Sequence, residues 1–346
     1  MAVTTPASLA ERDLVAAARA GGEEAFRAIV DEHRSVLRAH CYRMLGSVHD
    51  ADDALQETLL RAWRGLSGFG ERSAVRSWLF AIATNVCRDM IARRPKRTLP
   101  IDAGPSSPLG ADVGEPLVES VWIEPFPSEG LGPDAPDARY EQREAVELAF
   151  IAALQHLPAT QRAVLILRDV LGFSAREVAE SLDTSVASVN SALQRARKSV
   201  EERRPERSQQ ETLRSLGDGR IRELVEAYVD AWARGDVEGV RALLAEDAVF
   251  SMPPWAAWWR GRDTIAGFAK EAHEFCAEAL PVYTDANGQA AIAYYHLDAD
   301  KGIYSAAAID VITFDGERIA DITAFIRPDL FPRFGLQPVL ACAVPS

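Results

Sequence analysis

The 346-residue chain predicts two all-helical domains followed by an α+β domain. Three observations predict it. Apolar residues recur at helical spacing through residues 8–97 and again through 144–204. Between these blocks, residues 98–143 are rich in Pro, Gly, Ser and acids, which is a linker composition. Beyond a second polar linker at 205–217, two helical segments give way to strand-like runs through residue 346.

The first block opens on an apolar stripe of Leu14, Phe26, Ile29, Val30, His33, Leu37, Cys41 and Met44, broken by Gly21-Gly22. His33 on that stripe reads as a core or boundary residue. "HDADDALQETLLRAW" follows, with Ala51, Leu55, Leu59 and Ala62 on one face and Trp63 beside them. Asp50, Asp53 and Glu57 stand on the other, with Asp52 and Gln56 nearby. Carboxylates so stacked repel one another mildly, so the face either solubilises the helix or serves a partner. A loop, "SGFGERSA", leads into "VRSWLFAIATNVCRDMIARR", a helix that Pro95 stops. The linker piece "VWIEPFPSEGL" is too aromatic for an inert spacer; it either docks or forms a surface loop.

Charge narrows the class of function. The net charge of −13 excludes a protein that coats nucleic acid uniformly. Yet from Glu71 to Arg97 seven basic residues face two acidic ones, whereas from Thr98 to Arg143 nine acidic residues face two basic ones. A basic patch inside an acidic chain is a local nucleic-acid signal. Arg88, Arg93, Arg94, Lys96 and Arg97, at the end of the helix that carries Asn85, suit phosphates, and the loop with Phe69, Arg72 and Ser73 suits an unstacked base. Arginines at a helix C-terminus also complement the helix dipole. Cys41, Cys87, Cys276 and Cys342 show no CxxC spacing and read as free thiols of a reducing compartment. No metal or cofactor motif is visible. Without a signal-peptide pattern or a membrane-length apolar run, the expectation is a soluble cytoplasmic protein with no membrane partner.

The second block carries the most specific motif, "FSAREVAESLDTSVASVNSALQRARKSV". Ser174 and Glu177 form a capping box, Asp183-Thr184 make a turn, and Ser185 caps the next helix. Val186, Val189, Leu193, Ala196 and Val200 are its expected buried stripe. Ser185, Asn190, Ser191, Gln194 and Arg195 point away from it, with Arg197 and Lys198 toward the end. Asn, Gln and Arg read major-groove edges, and terminal Arg and Lys hold phosphates, so the segment reads as a helix-turn-helix that binds DNA, the alternative being a plain helical hairpin with a solvated polar face.

These motifs, in this order, resemble the extracytoplasmic-function class of sigma-70-type RNA polymerase sigma factors. "DADDALQETLLRAW" resembles region 2.2 of that family, "SWLFAIATNVCRDMIARR" its −10 reader, and "LPATQRAVLILRDVLGFSAREVAESLDTSVASVNSALQRAR" its region 4, the −35 reader. The resemblance implies core polymerase as partner, through the β′ clamp helices and the β flap, and promoter DNA at both elements. It assigns Asp50, Asp53, Gln56, Glu57 and Arg61 to polymerase contact. It assigns Phe69, Arg72, Ser73, Asn85, Arg88, Arg93 and Arg94 to the −10 element. Residues 185–198 fall to the −35 element.

The third domain, from residue 218, resembles the SnoaL-like, NTF2-like cone, in which helices wrap a curved sheet around a pocket. Its expected pocket residues are Trp255, Trp259, Tyr294, His296 and Asp310. Tyr294 and His296 share a strand face. Asp310, in mid-strand, is a carboxyl whose pKa burial would raise. The resemblance implies an intramolecular regulator that contacts the helical domains, with ligand sensing compatible and catalysis resting on two isolated residues. The alternative from another class is a one-component repressor that senses a small ligand. It would have no need of the acidic helix.

Overall fold

A computed structural model describes residues 9–69, 74–117, 121–128, 143–203, 207–276 and 278–342. They fall into two compact units, one built from the residues up to Arg97 together with 143–203, the other from 98–128 together with the residues from 207 onward.

The first unit is helical. Helices α1 (Leu9–Arg19), α2 (Glu23–Leu45), α3 (Val48–Gly65) and α4 (Val75–Ile91) follow the sequence stripes. Gly21, at φ 94°, turns the chain between α1 and α2 where a side chain would be strained. Ser47 caps α3, its Oγ accepting from the Asp50 amide at 3.1 Å. After α5 (Pro100–Ala103), which belongs to the second unit, come α6 (Leu148–Gln155), α7 (Ala159–Leu165), α8 (Ala175–Ser181) and α9 (Val186–Glu201).

Two buried arginines join the halves of this unit. Arg43 Nε donates to the Ala145 carbonyl at 2.9 Å. Arg162 donates to the carbonyls of Met44, Gln155 and Leu157 and to Gln155 Oε1. Burial lowers their pKa values to about 9 and about 10, so both stay cationic at neutral pH. At the other end Arg76 donates to the Leu171 carbonyl at 2.8 Å and lies 4.3 Å from the Phe173 ring centroid.

The second unit is α+β. Helices α10 (Gln209–Leu216), α11 (Asp218–Ala233), α12 (Val237–Leu243) and α13 (Arg262–Cys276) accompany one sheet. Its strands are β1 (Leu244–Ser251), β2 (Trp258–Arg260), β3 (Leu280–Ala286), β4 (Gln289–Asp298), β5 (Ile303–Asp315), β6 (Arg318–Phe325) and β7 (Val339–Ala341). The order is β2-β1-β6-β5-β4-β3, with β7 on β5 and only the β1–β6 pair parallel among these strands. The "FDGER" turn joins β5 to β6, with Gly316 at φ 54°.

Three expectations need correction. In "VEGVRALLAED", the second of the two expected helical segments, residues 244–247 instead begin β1, because Leu244 pairs with Ile319 of a strand far along the chain. Residues 205–217, read as a linker, contain α10: Gln209 Nε2 donates to the Phe314 carbonyl, and Gln210 Nε2 to the Gly288 carbonyl at 2.6 Å. The described part of the first linker, 98–128, is a strap on the second unit rather than a spacer. Trp122 Nε1 donates to the Pro254 carbonyl at 2.8 Å, and the Trp258 and Trp255 indoles donate to the carbonyls of Gly104 and Gly114. Phe126 and Asn287 exchange two hydrogen bonds, and Arg327 pairs with Glu124 at 3.2 Å. The "VWIEPFPS" piece therefore docks. The strap and the tail segment "RPDLFPRFGL" satisfy surfaces that look free in the sequence: Leu330 and Phe331 are buried, and Phe331 meets Tyr295 edge-on at 5.0 Å.

Candidate functional sites

On α3 the acidic residues divide. Asp53 and Gln56 are exposed and Glu57 is half-buried. Arg61 lies among them, paired with Glu57 at 2.7 Å and with Asp89 of α4 at 3.1 Å, which raises its pKa. Asp50 departs from the expectation. It is 6% exposed, and its carboxylate receives Arg97 at 2.7 Å and Arg94 as well. Its place in the first turn, where helix amides and the dipole favour an anion, turns it inward to hold the end of α4. Sequence reading missed the neighbours of this face. Leu60 is 51% exposed, and with Phe26, Val30, Leu59 and Trp63 it lines a shallow groove between α2 and α3. Their helical spacing had pointed only to a core.

At the α4 end, Arg93 is exposed, while Asn85 and Arg88 are half-buried and bonded to each other at 3.4 Å. Arg94 is exposed but committed to Asp50. Phe69 is buried, its ring 4.8 Å from Trp78, so it anchors the loop instead of projecting from it. Arg72 and Ser73 lie outside the described residues.

The helix-turn-helix forms as its caps require. Both capping-box bonds are present at Ser174 and Glu177, Asp183 turns at φ 50°, and Ser185 Oγ accepts from the Ser188 amide at 3.1 Å. Val189, Leu193, Ala196 and Val200 are buried, whereas Val186 is 44% exposed because the first turn of α9 runs beyond its support. Ser185, Asn190, Ser191, Gln194, Arg195 and Lys198 are all exposed on one connected surface. Arg197 is exposed too, but it forks onto Asp169 at 2.7 and 2.8 Å.

The second unit encloses a cavity of about 390 Å³. Tyr294, His296 and Asp310 line it; Trp255 and Trp259 do not. Trp259 is 1% exposed and stacks on Phe268 at 4.1 Å, and Trp255 is taken by the strap, so both are structural. Residues the sequence did not mark complete the wall, among them Tyr228, Trp232, Phe250 and Phe268. Burial raises the Asp310 pKa to about 7, against a hydrogen bond from Tyr228 that lowers it. Partial burial lowers that of His296. Asp310, His296 and the exposed Glu271 are the carboxyl and imidazole groups of an otherwise largely apolar wall. Among the described residues no cluster of His, Cys, Asp and Glu has metal-ligand geometry, and no helix is long and apolar enough to cross a membrane. Cys41 and Cys87 are buried free thiols, and burial pushes Cys87 upward, away from the reactive thiolate.

Comparison with known proteins answers to this arrangement. Residues 29–97 match the Sigma-70 region 2 family, 141–200 match Sigma-70 region 4, and 225–322 match the SnoaL-like domain. The chain is 39% identical over 323 residues to the ECF RNA polymerase sigma factor SigG of Mycobacterium tuberculosis, covering 91% of this chain and 85% of that one. It is 28% identical over 180 residues to the ECF sigma factor SigW of Bacillus subtilis, covering 52% of this chain and 89% of that protein. The crystal structure of the Mycobacterium tuberculosis sigma factor SigJ superposes with a TM-score of 0.57 at 22% identity, over 90% of this chain and 99% of that chain, a likeness of fold. Helical sigma domains followed by an α+β domain define a transcription initiation factor. The chain belongs to the extracytoplasmic-function sigma factors, a family that binds core RNA polymerase and promoter DNA and is not enzymatic. Nothing in these likenesses favours the one-component repressor.

Proposed function

We propose that this sigma factor docks on the β′ clamp helices through Asp53, Gln56, Glu57 and Arg61, with region 4 facing the β flap. Asn85, Arg88 and Arg93 serve the −10 element. Asn190, Ser191, Gln194 and Arg195 read the −35 major groove, and Ser185 and Lys198 hold phosphates. Arg197 joins them once Asp169 releases it. The exposure of Asp53, Gln56 and Arg61 on α3 and of Ser185, Asn190, Ser191, Gln194, Arg195 and Lys198 on α9 supports the assignment, since base and partner contact needs accessible polar groups.

The C-terminal unit acts as an intramolecular regulator. One observation carries this: residues 98–128, which connect region 2 to region 4, are hydrogen-bonded to that unit. A tethered restraint needs little intrinsic affinity, because its effective concentration is on the order of millimolar. Docking withholds these residues from the chain that the two sigma regions need in order to part, and so adds to the Arg43 and Arg162 contacts that already join those regions; the domain thereby restrains initiation.

The test is run-off transcription with core polymerase, comparing the full-length protein with the Trp122→Ala/Glu124→Ala double variant. The variant is expected to transcribe more. Equal transcription from both, with unchanged circular dichroism, would remove the regulator. Failure of the full-length protein to co-elute with core would remove the polymerase assignment.

A further inference from the structure

We infer that the pocket where the end of α4 meets α6 and α7 is a binding site for a small polyphosphate anion. Its walls come from both halves of the first unit, residues 45–97 from one and 155–162 from the other. The inference goes beyond the regulatory reading, which concerns the second unit, and stands or falls on binding.

Charge comes first. Four cationic side chains line the pocket, Arg94, Lys96, Arg97 and Arg162, and among the described residues one carboxylate does, Asp50. Asp50 takes Arg94 and Arg97 together, so a single carboxylate answers two guanidiniums. Lys96 Nζ meets a second basic group, the His156 imidazole, at 2.8 Å. Arg162 is the decisive residue. It is 4% exposed, and the hydrogen bonds from its two terminal nitrogens all end on neutral oxygens, the carbonyls of Met44, Gln155 and Leu157 and the Gln155 amide. Its Nε–H is buried with no partner among the described residues. A guanidinium held in this way keeps its charge and one donor in reserve, and an anion in the pocket satisfies both.

Size and spacing then narrow the class. The pocket holds about 340 Å³, and its cations stand on two separate segments, residues 94–97 beyond α4 and Arg162 on α7. Four cations against one carboxylate leave an excess of three positive charges. A lone phosphate group carries about −1.5 to −2 at pH 7 and falls short of that. Linked phosphates supply more charge and reach both segments. Guanidiniums offer forked donors to phosphate oxygens and an ammonium offers a point charge, and this wall has both. Promoter DNA answers to the same chemistry. Arg162, however, is almost closed off from solvent, within reach of a small ion and not of a duplex, which favours a free polyphosphate.

The experiment is isothermal titration calorimetry of the full-length protein at about 0.15 M ionic strength, where loose surface attraction is screened. The probes are inorganic tripolyphosphate, inorganic phosphate and citrate. The expected result is one tripolyphosphate per chain, bound about tenfold more tightly than phosphate or citrate. Lys96→Ala, which removes an exposed side chain, should weaken it about tenfold, the lower end of the worth of a hydrogen bond to a charged group. Ala159→Glu, which sets a second carboxylate on the wall, should abolish it. The Arg195→Ala/Lys198→Ala variant, which strips the DNA-reading face of α9, should bind as the wild type does. The proposal is overturned by a wild type without saturable binding, by phosphate or citrate bound as tightly as tripolyphosphate, or by unchanged binding in a folded Lys96→Ala variant. Loss of binding in the Arg195→Ala/Lys198→Ala variant also overturns it, by moving the anion to the DNA face. Holoenzyme carrying Lys96→Ala should keep its promoter affinity within about twofold; a loss of about tenfold would make the pocket a contact for the DNA backbone and overturn the small-anion assignment. If Ala159→Glu does not fold, Lys96→Ala decides.

Discussion

Asp50 and Asp53 lie one helical turn apart on α3 and meet opposite surroundings. Asp50 is closed off by Arg94 and Arg97, whereas Asp53 faces water. Asp50→Ala leaves Arg97 buried without its carboxylate, and the first unit should lose about 3–5 kcal/mol in urea denaturation. Asp53→Arg should shift stability by no more than about 0.5 kcal/mol yet abolish co-elution with core polymerase. If both behave alike in both assays, the division between a structural and a contacting acid is wrong. Asp310 gives a prediction in pH. Its folded pKa, about 7, lies above the ordinary carboxyl value, so between about pH 4 and 7 the folded state binds more protons than the unfolded. The sign is a loss: the stability of the C-terminal unit falls as pH rises through that window, by on the order of a few kcal/mol, and levels off above it. Asp310→Asn should remove its own share of the fall and leave that of Asp321, which burial also raises to about 7, as read from denaturation midpoints at pH 5 and pH 8.

At the scale of elements, α9 shows what periodicity conveys and where it stops. Its cap, turn and buried stripe were legible because they are local, closed within four residues. Arg197 was not placed by the sequence, since its partner Asp169 stands 28 positions earlier on another element. Arg195→Ala should weaken −35 binding selectively by about 1–3 kcal/mol, while Lys198→Ala should weaken it evenly and lower the salt slope. Equal, sequence-blind losses would limit Arg195 to phosphate. Helix α10 departs from its sequence reading in the opposite sense. "SQQETLRSL" has a linker's polarity, and only the sheet carbonyls of Phe314 and Gly288 make its two glutamines buried residues. Strands β2 and β7, three residues each, are too short for any alternation to register.

Across the whole molecule, the strap is the feature that links sequence order to regulation. Trp122, Glu124 and Phe126 tie residues 98–128 to partners more than 130 positions away. Glu124 and Arg327 are a partly buried pair, so Arg327→Ala should open the strap and leave the sheet intact. Hydrogen exchange should show lost protection at the amides of Ser107 and Leu117, whose acceptors, the carbonyls of Trp258 and Pro254, the strap's docking supplies. Protection unchanged there would mean that the tryptophan contacts suffice to hold it.

By itself the amino-acid sequence determined the order of domains, the caps and stripes of the helices, the capped helix-turn-helix and the family to which the chain belongs. Those signals are periodic or local, and the hydrophobic effect acts on them wherever the segment packs. Tertiary structure alone decided which polar groups remain free. Asp50, Phe69, Trp255 and Trp259 carry the residue types of contact sites, yet each is taken by a neighbour that the linear chain does not name: Asp50 by ion pairs, Trp255 by a hydrogen bond to the strap, Phe69 and Trp259 by ring packing. The cavity is the converse: Ala307, Ala308 and Ala324, silent in the sequence, became a chamber only when the sheet set them opposite Trp232, Phe250 and Phe268.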